Sequence, residues 1–196
     1  MMQPTMEPAF LPDGTPIHLR PIRPDDKVLL QRGLANLSLE STVQRFLGPK
    51  PSFSGAELRY LTEVDQINQV AIVVIAEILG PLGLEEELIA VGRFVRDMER
   101  PDHAEVAITV GDGFQGQGLG TLLGMTLAGE ARARGITHFT ALLQGTNTAA
   151  QRLFHRISNH LTTDSHDGVR EIVADLPTLQ HVAVPRPTAN AALPLL

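Results

Sequence analysis

Between Ala104 and Gly120 the chain reads AEVAITVGDGFQGQGLG. An alternating apolar run enters a loop that holds Gly111, Gly113, Gly116, Gly118 and Gly120, and the pattern then turns helical. Glycine lets a backbone approach a ligand closely and turn its N–H groups toward it. A helix N-terminus adds unpaired N–H donors and a partial positive charge. The chemistry of such a junction is anion binding, above all of a phosphate; its plainer reading is a glycine-rich turn before a helix. Two nucleotide loops fit poorly. In G-x-G-x-x-G the third glycine falls on Thr121 when counted from Gly116, and on Leu123 when counted from Gly118. Gly113 and Gly118 have Walker spacing, but Leu119 stands where lysine belongs.

A second reactive group lies just upstream. Glu105 is a carboxylate in an otherwise apolar strand pattern, on one face with Ala107 and Thr109, while Val106, Ile108 and Val110 share the other. A carboxylate there can take the proton from an amine, which for lysine has a pKa near ~10.4. Such a base contributes roughly 10²–10⁴-fold to a rate. The plainer reading is an edge-strand glutamate in solvent. His103 falls on the same face, either tuning Glu105 or ending the strand. The 7 histidines have no metal-ligand spacing such as H-E-x-x-H, and the count of cysteines is 0. No metal site is therefore expected, and cysteine nucleophiles and disulfides are excluded.

These groups need elements to hold them. Ile17–Ile22 (IHLRPI) alternates and reads as a short strand at an edge or an end, because of Pro21. Pro24-Asp25-Asp26 starts a helix carrying Val28, Leu29, Leu34 and Leu37, which ends near Asn36. Ser38 starts a second helix with Val43, Phe46 and Leu47, stopped by Gly48-Pro49. Ser54 and Glu57 form a capping box for a third. Gln69–Ile78 is a buried strand, Leu79–Glu87 a loop with an acidic tip, and Leu88–Arg96 the next strand. The helix after the glycine loop carries Leu119, Leu122, Leu123, Leu127 and Ala131 on one stripe and stops at Gly135. His138–Leu143 is a strand, and Thr146–Ile157 a helix with Ala149, Ala150, Leu153, Phe154 and Ile157 in line. His160–Thr163 and Glu171–Asp175 pair as a last hairpin around Asp167-Gly168. Residues 1–176 thus read as a single α/β domain, and 177–196 as a Pro/Ala-rich C-terminal tail.

The run Gln115-Gly116-Gln117-Gly118-Leu119-Gly120 matches the pattern Gln/Arg-x-x-Gly-x-Gly/Ala, and resembles the acyl-CoA motif of the GNAT N-acetyltransferases. The later Asn147-Thr-Ala-Ala150-Gln-Arg-Leu153-Phe154 is similar to that family's Asn-x-x-Ala-x-x-Leu-Tyr pattern. The front end (LRPIRPDDKVLL, SLESTVQRFLG, SGAELRYLTEVD) resembles the acetyltransferase domain of bacterial protein-lysine acetyltransferases. The resemblance covers roughly residues 12–176. It implies a GNAT fold, a mostly antiparallel twisted mixed sheet of six to seven strands flanked by helices. It implies acetyl-CoA as co-substrate, held where the strands Ala104–Val110 and His138–Leu143 splay apart. Ile108, Thr109 and Val110 would meet the pantetheine through their backbone. Gln115, Gly116, Gln117, Gly118, Leu119, Gly120 and Thr121 would surround the pyrophosphate, and Asn147, Leu153 and Phe154 would complete the cofactor site. Asn147 also suits a plain helix cap. Glu105 would be the general base and the Val110 N–H the group that polarises the thioester carbonyl. Phe154 departs from the family's tyrosine and cannot protonate a leaving thiolate.

The resulting expectation is acetyl transfer to a primary amine, of a protein lysine or a small molecule. The alternative is a non-catalytic acyl-CoA-binding or regulatory protein on the same fold. The Glu85-Glu86-Glu87 run is a solvated tip, or an acidic lip for a cationic substrate. A net charge of −6 speaks against a broad nucleic-acid or anionic-membrane surface. The longest apolar run, Val70–Ala76, is far short of the ~20 residues a bilayer requires. A cytoplasmic protein is expected, and a homodimer is common in the family.

Overall fold

The structure is a computed structural model that describes residues 9–80 and 83–177. The expected tail from 178 onward lies outside the described residues. The elements in chain order are β1 (Ala9–Phe10), β2 (Pro16–Pro21), a 3₁₀ turn (Pro24–Asp26), α1 (Lys27–Ala35), α2 (Leu39–Phe46), α3 (Gly55–Thr62), β3 (Gln69–Gly80) and β4 (Gly83–Arg96). Then follow β5 (His103–Val110), a 3₁₀ turn (Asp112–Phe114), α4 (Leu119–Ala133), β6 (His138–Gln144), α5 (Thr148–Ile157), β7 (His160–His166) and β8 (Val169–Asp175).

All strands join one 8-stranded sheet in the order β1-β2-β3-β4-β5-β6-β8-β7. Among the described residues only β5 and β6 run parallel. The strand count exceeds the expected six to seven, because the two-residue β1 adds to the β2 edge. β3 lies deep in this sheet with helices on both faces, which is why its sequence is continuously apolar rather than alternating. Val70, Ile72, Val74 and Ala76 pack into the core with Leu119, Leu123 and Leu127 of α4. Ala71, Val73 and Ile75 pack with Leu30 of α1 and with Leu58 and Leu61 of α3.

Two expectations are corrected. The stretch Leu79–Glu87 is not a loop: β3 runs to Gly80 and β4 starts at Gly83, with Glu85 opposite Ile78 and Glu87 opposite Ala76. Extended backbone keeps its ladder bonds here, while alternation sends Glu86 fully outward and leaves Glu85 4.0 Å from Arg32. The acidic run is thus paired strand, with Glu86 on one face and Glu85 and Glu87 on the other, rather than a loop tip. In α1 the core residues are Leu30 and Leu34, whereas Val28 is 65% exposed. The tighter 3₁₀ turn before α1 rotates its stripe relative to a helix begun at Pro24.

The helix signals correspond to real caps. Ser38 Oγ accepts from Ser41 N, and the Ser54–Glu57 capping box forms in both directions. Gly135 closes α4 at φ +78°. α4 and α5 touch at Gly124, where a Cβ would stand 3.1 Å from Ile157 and 3.2 Å from Leu153.

Candidate active site

The site is made by a seam that opens. β5 and β6 are paired only at His103–Glu105 against His138–Thr140. Beyond Glu105 the strands part. Backbone polar groups alternate between the two edges of a strand. Gly111 N–H donates to Ile89 O of β4 at 2.8 Å. Val110 and Ile108 therefore present their N–H and C=O groups to the opposite edge, which β6 has left, and Val106, the last residue bonded to β6 through its N–H, presents only its C=O there. Thr109 has its backbone on the β4 side and contributes a side chain instead. Of the three backbone contacts expected, the geometry thus offers those of Ile108 and Val110.

The gap is a cleft of about 720 Å³, walled by both faces of β5, by α5 and by the end of α2. At its mouth the glycine loop makes its turn. Gly116 and Gly118 have φ of +75° and +88°, a left-handed backbone that side chains resist. Gly118 is the N-cap of α4, and no side chain caps that helix among the described residues. The first-turn N–H groups at Leu119, Gly120 and Thr121 are left for an anion. Gly120 and Thr121 line the cleft, and so does buried Leu119.

The remaining expected residues divide. Asn147 Oδ1 accepts from Ala150 N at 3.0 Å, so it caps α5, and it also borders the cleft with Leu153 and Phe154. Phe154 is buried, with its ring in the cleft wall. Gln117 turns away: its amide donates to Gly113 O at 3.2 Å and bridges the loop. The Gln115 amide is also used internally, donating to Asp112 Oδ1 at 3.0 Å and to Ser41 Oγ at 3.2 Å.

Asp112 is a member of the site that its sequence position did not betray. Its carboxylate accepts from Ser38 N at 2.5 Å and from Ser41 Oγ, so the start of α2 is tied to the glycine loop. Burial pushes this carboxyl up, but the bonds from Ser41 and Ser38 outweigh burial and hold it below its ordinary value. Arg45 and Phe46 of α2, and Arg152 and Arg156 of α5, also line the cleft. The two α5 arginines stand one helical turn apart beside the Leu153 stripe, a spacing that could have marked them.

Glu105 is exposed and faces the cleft from the last paired position of β5. His103 makes no bond to it. The His103 ring instead stacks on His138 at 4.3 Å, and its Nδ1 lies 3.0 Å from Asp102 Oδ1. That bond lowers the Asp102 carboxyl. Ligand atoms of Asp102, His103 and His138 lie within 4.8 Å of one another, a grouping the spacing search missed because it joins the starts of two strands. The rings are only 12° from parallel, so their in-plane lone pairs do not converge on one ion.

An open parallel seam, N–H donors along its edge and an uncapped helix start at its mouth form a cleft that suits an extended ligand with a phosphate-bearing tail. The pattern of the Acetyltransferase (GNAT) family matches residues 51–158. The chain belongs to this family, the N-acetyltransferases that use acetyl-CoA as co-substrate. The chain is similar to Acetyltransferase Pat of Mycolicibacterium smegmatis, with 33% identity over 150 residues, 76% of this chain but 43% of that protein. It thus spans less than half of that relative. Acetyltransferase PA5475 of Pseudomonas aeruginosa is 28% identical over 143 residues, 73% of this chain and 74% of that one. The GNAT domain of S. lividans PAT superposes with a TM-score of 0.74 at 30% identity, covering 89% of this chain and 100% of that domain. No helix among the described residues is long and apolar enough to cross a membrane.

Proposed function

We propose that the chain transfers the acetyl group of acetyl-CoA to a primary amine, a protein lysine being the acceptor class, by direct attack with Glu105 as general base. The observation that carries this reading is one strand doing two things. β5 presents Glu105 at the last residue paired to β6, and presents the Val110 N–H along the edge that β6 has left.

An incoming ammonium gives a proton to Glu105, which passes it to solvent through its exposed side. The neutral amine nitrogen attacks the thioester carbonyl carbon. A C–N bond forms, the carbonyl oxygen takes negative charge against the Val110 N–H, and the C–S bond then breaks. Phe154 has no proton to give, so sulfur leaves as thiolate. The second proton of the attacking nitrogen goes to bulk water, which protonates the thiolate in turn. Holding amine and thioester together supplies much of the remaining acceleration.

The experiment is Glu105→Gln. The expected result is a fall of roughly 10²–10⁴-fold in kcat/KM at unchanged acetyl-CoA affinity. Unchanged turnover would remove Glu105 as the base. A second reading, a non-catalytic acyl-CoA-binding or regulatory protein, is favoured by Phe154 and by Ile157-Ser158-Asn159-His160, where the family's usual Gly-Phe is missing; it predicts acetyl-CoA binding in calorimetry with no turnover of any amine by wild type.

A further inference from the structure

The β5 face that carries Glu105 also borders a second, small cavity. It has about 70 Å³ of space among Leu34, Leu37, Phe46, Phe53 and Leu61, and Ala107 and Thr109 form its floor. Two guanidinium groups enter this apolar wall, Arg93 from β4 and Arg45 from α2. Arg93 pairs with Ala107 and Val95 with Glu105, so Arg93 and Glu105 sit diagonally on one sheet face. Arg45 lines both this cavity and the large cleft, and so stands where they join.

Neither cation has a carboxylate within ion-pair distance among the described residues; Glu105 acts on both only from farther off, raising the pKa of each against burial. Arg93 is only 7% exposed. Its Nη2 donates to Gln69 Oε1 at 3.3 Å and its guanidinium lies 4.6 Å over the Tyr60 ring. Its Nη1 is buried with no partner at all. The arginine ion pairs among the described residues are those of Arg20, Arg32, Arg100 and Arg134. Burial lowers the pKa of Arg93; it also lowers that of Arg45, which Arg93 lowers further by repulsion. A desolvated, unpaired cation beside a second one destabilises a fold. An arriving anion reverses that cost.

We propose that Arg93 and Arg45 bind a carboxylate carried by the acceptor, so that the amine delivered to Glu105 belongs to a molecule with a nearby carboxylate and an aliphatic stem. This rests on the reading of Glu105 as the base. A carboxylate matches the planar guanidinium fork, and the small apolar cavity beside it takes the stem. Two sources supply this chemistry: the α-carboxylate of a free amino acid, or an acidic residue beside a target lysine.

The test compares matched acceptors with the whole chain and acetyl-CoA. One pair is leucine and leucinamide; the other is a lysine peptide with glutamate after the lysine and its glutamine counterpart. The carboxylate member of one pair is expected to show a kcat/KM higher by roughly tenfold or more, and the pair that responds identifies the source. Arg93→Gln removes the preference. Arg45→Gln, at a partly buried helix position, does the same if the Arg93 variant fails to fold. No preference in either pair overturns the proposal. A binding arm needs no turnover: N-acetylleucine, which has the carboxylate but no acceptor amine, should bind wild type in calorimetry with CoA present and fail to bind Arg93→Gln. Where wild type turns over none of the acceptors, absence of N-acetylleucine binding overturns the proposal. Binding of N-acetylleucine with turnover that survives Glu105→Gln overturns the base and leaves the anion site standing. Thermal stability separates ligand binding from a structural role: Arg93→Met is expected to keep or raise the Tm, and a lowered Tm would make Arg93 a structural residue.

Discussion

Asp112 joins two walls of the cleft that lie far apart in the chain. Its bonds to Ser38 and Ser41 hold the start of α2 against the glycine loop, and its bond from Gln115 fixes the loop from within. Replacement by alanine leaves Ser38 N–H without its partner. The site is exposed, so the stability loss is no more than about 1 kcal/mol, a Tm drop of about 2–4 °C. The larger expected effect is a several-fold rise in the KM for acetyl-CoA, and an unchanged KM would show that the tether does not shape the cradle. The pH dependence has a definite sign. The folded-state pKa is depressed, so the contribution is complete above the unfolded value near ~3.9 and is lost as pH falls through the folded value. Acetyl-CoA affinity should therefore be flat from about pH 8 to 5 with respect to this group. Asp112→Asn should mimic the acid form at neutral pH. Nothing in the sequence separated Asp112 from an ordinary turn aspartate, because its meaning comes from α2.

Among the elements, those whose signal is local were legible. The stripe Leu119, Leu123, Leu127 and Ala131 is the buried face of α4, and the Ser38 and Ser54 caps form as their side chains require. Where partners decide, legibility stopped. The strand extension through Glu85–Glu87 depends on the β3 ladder, and the Arg45–Arg93 pocket depends on a helix packing over a sheet. The glycine loop falls between, since its composition announced a cradle but not which glycine makes it. The backbone now distinguishes them. Gly118 has φ +88° and open space around an added Cβ, while Gly113 has the same open space without a positive φ. Gly118→Ala thus adds conformational strain alone, roughly 1–2 kcal/mol, exerted at the start of α4. It should keep the fold and weaken acetyl-CoA binding by roughly tenfold, the 1.4 kcal/mol step that such strain can deliver. Gly113→Ala should leave binding unchanged. Equal effects from both would mean that the loop's exact backbone does not matter to the ligand.

At the scale of the molecule, the sheet has one weak seam. β3 and β4 are paired along twelve positions, from Gln69 opposite Val95 to Gly80 opposite Gly83, whereas β5 and β6 share three. The C-terminal strands β6, β8 and β7 are joined to the rest of the sheet by that short pairing, while α4 against α5 at Gly124 and the shared core, with the Phe139 ring 5.9 Å from that of Phe94, hold them by side chains. On the proposed function this economy has a use, because closing the seam would consume the N–H groups of Ile108 and Val110 that would meet a thioester arm. The cost is a set of strand amides in the middle of a sheet with no ladder partner. These amides should exchange with deuterium quickly in the free protein, although their side chains belong to or pack on the core. Acetyl-CoA should protect them, together with the first turn of α4, and leave β3, β4 and the β7–β8 hairpin unchanged. Protection confined to the glycine loop would limit binding to the phosphate end and leave the seam without a ligand. Slow exchange at Ile108 and Val110 in the free protein would mean that the seam is closed in solution, and that opening it must precede any transfer.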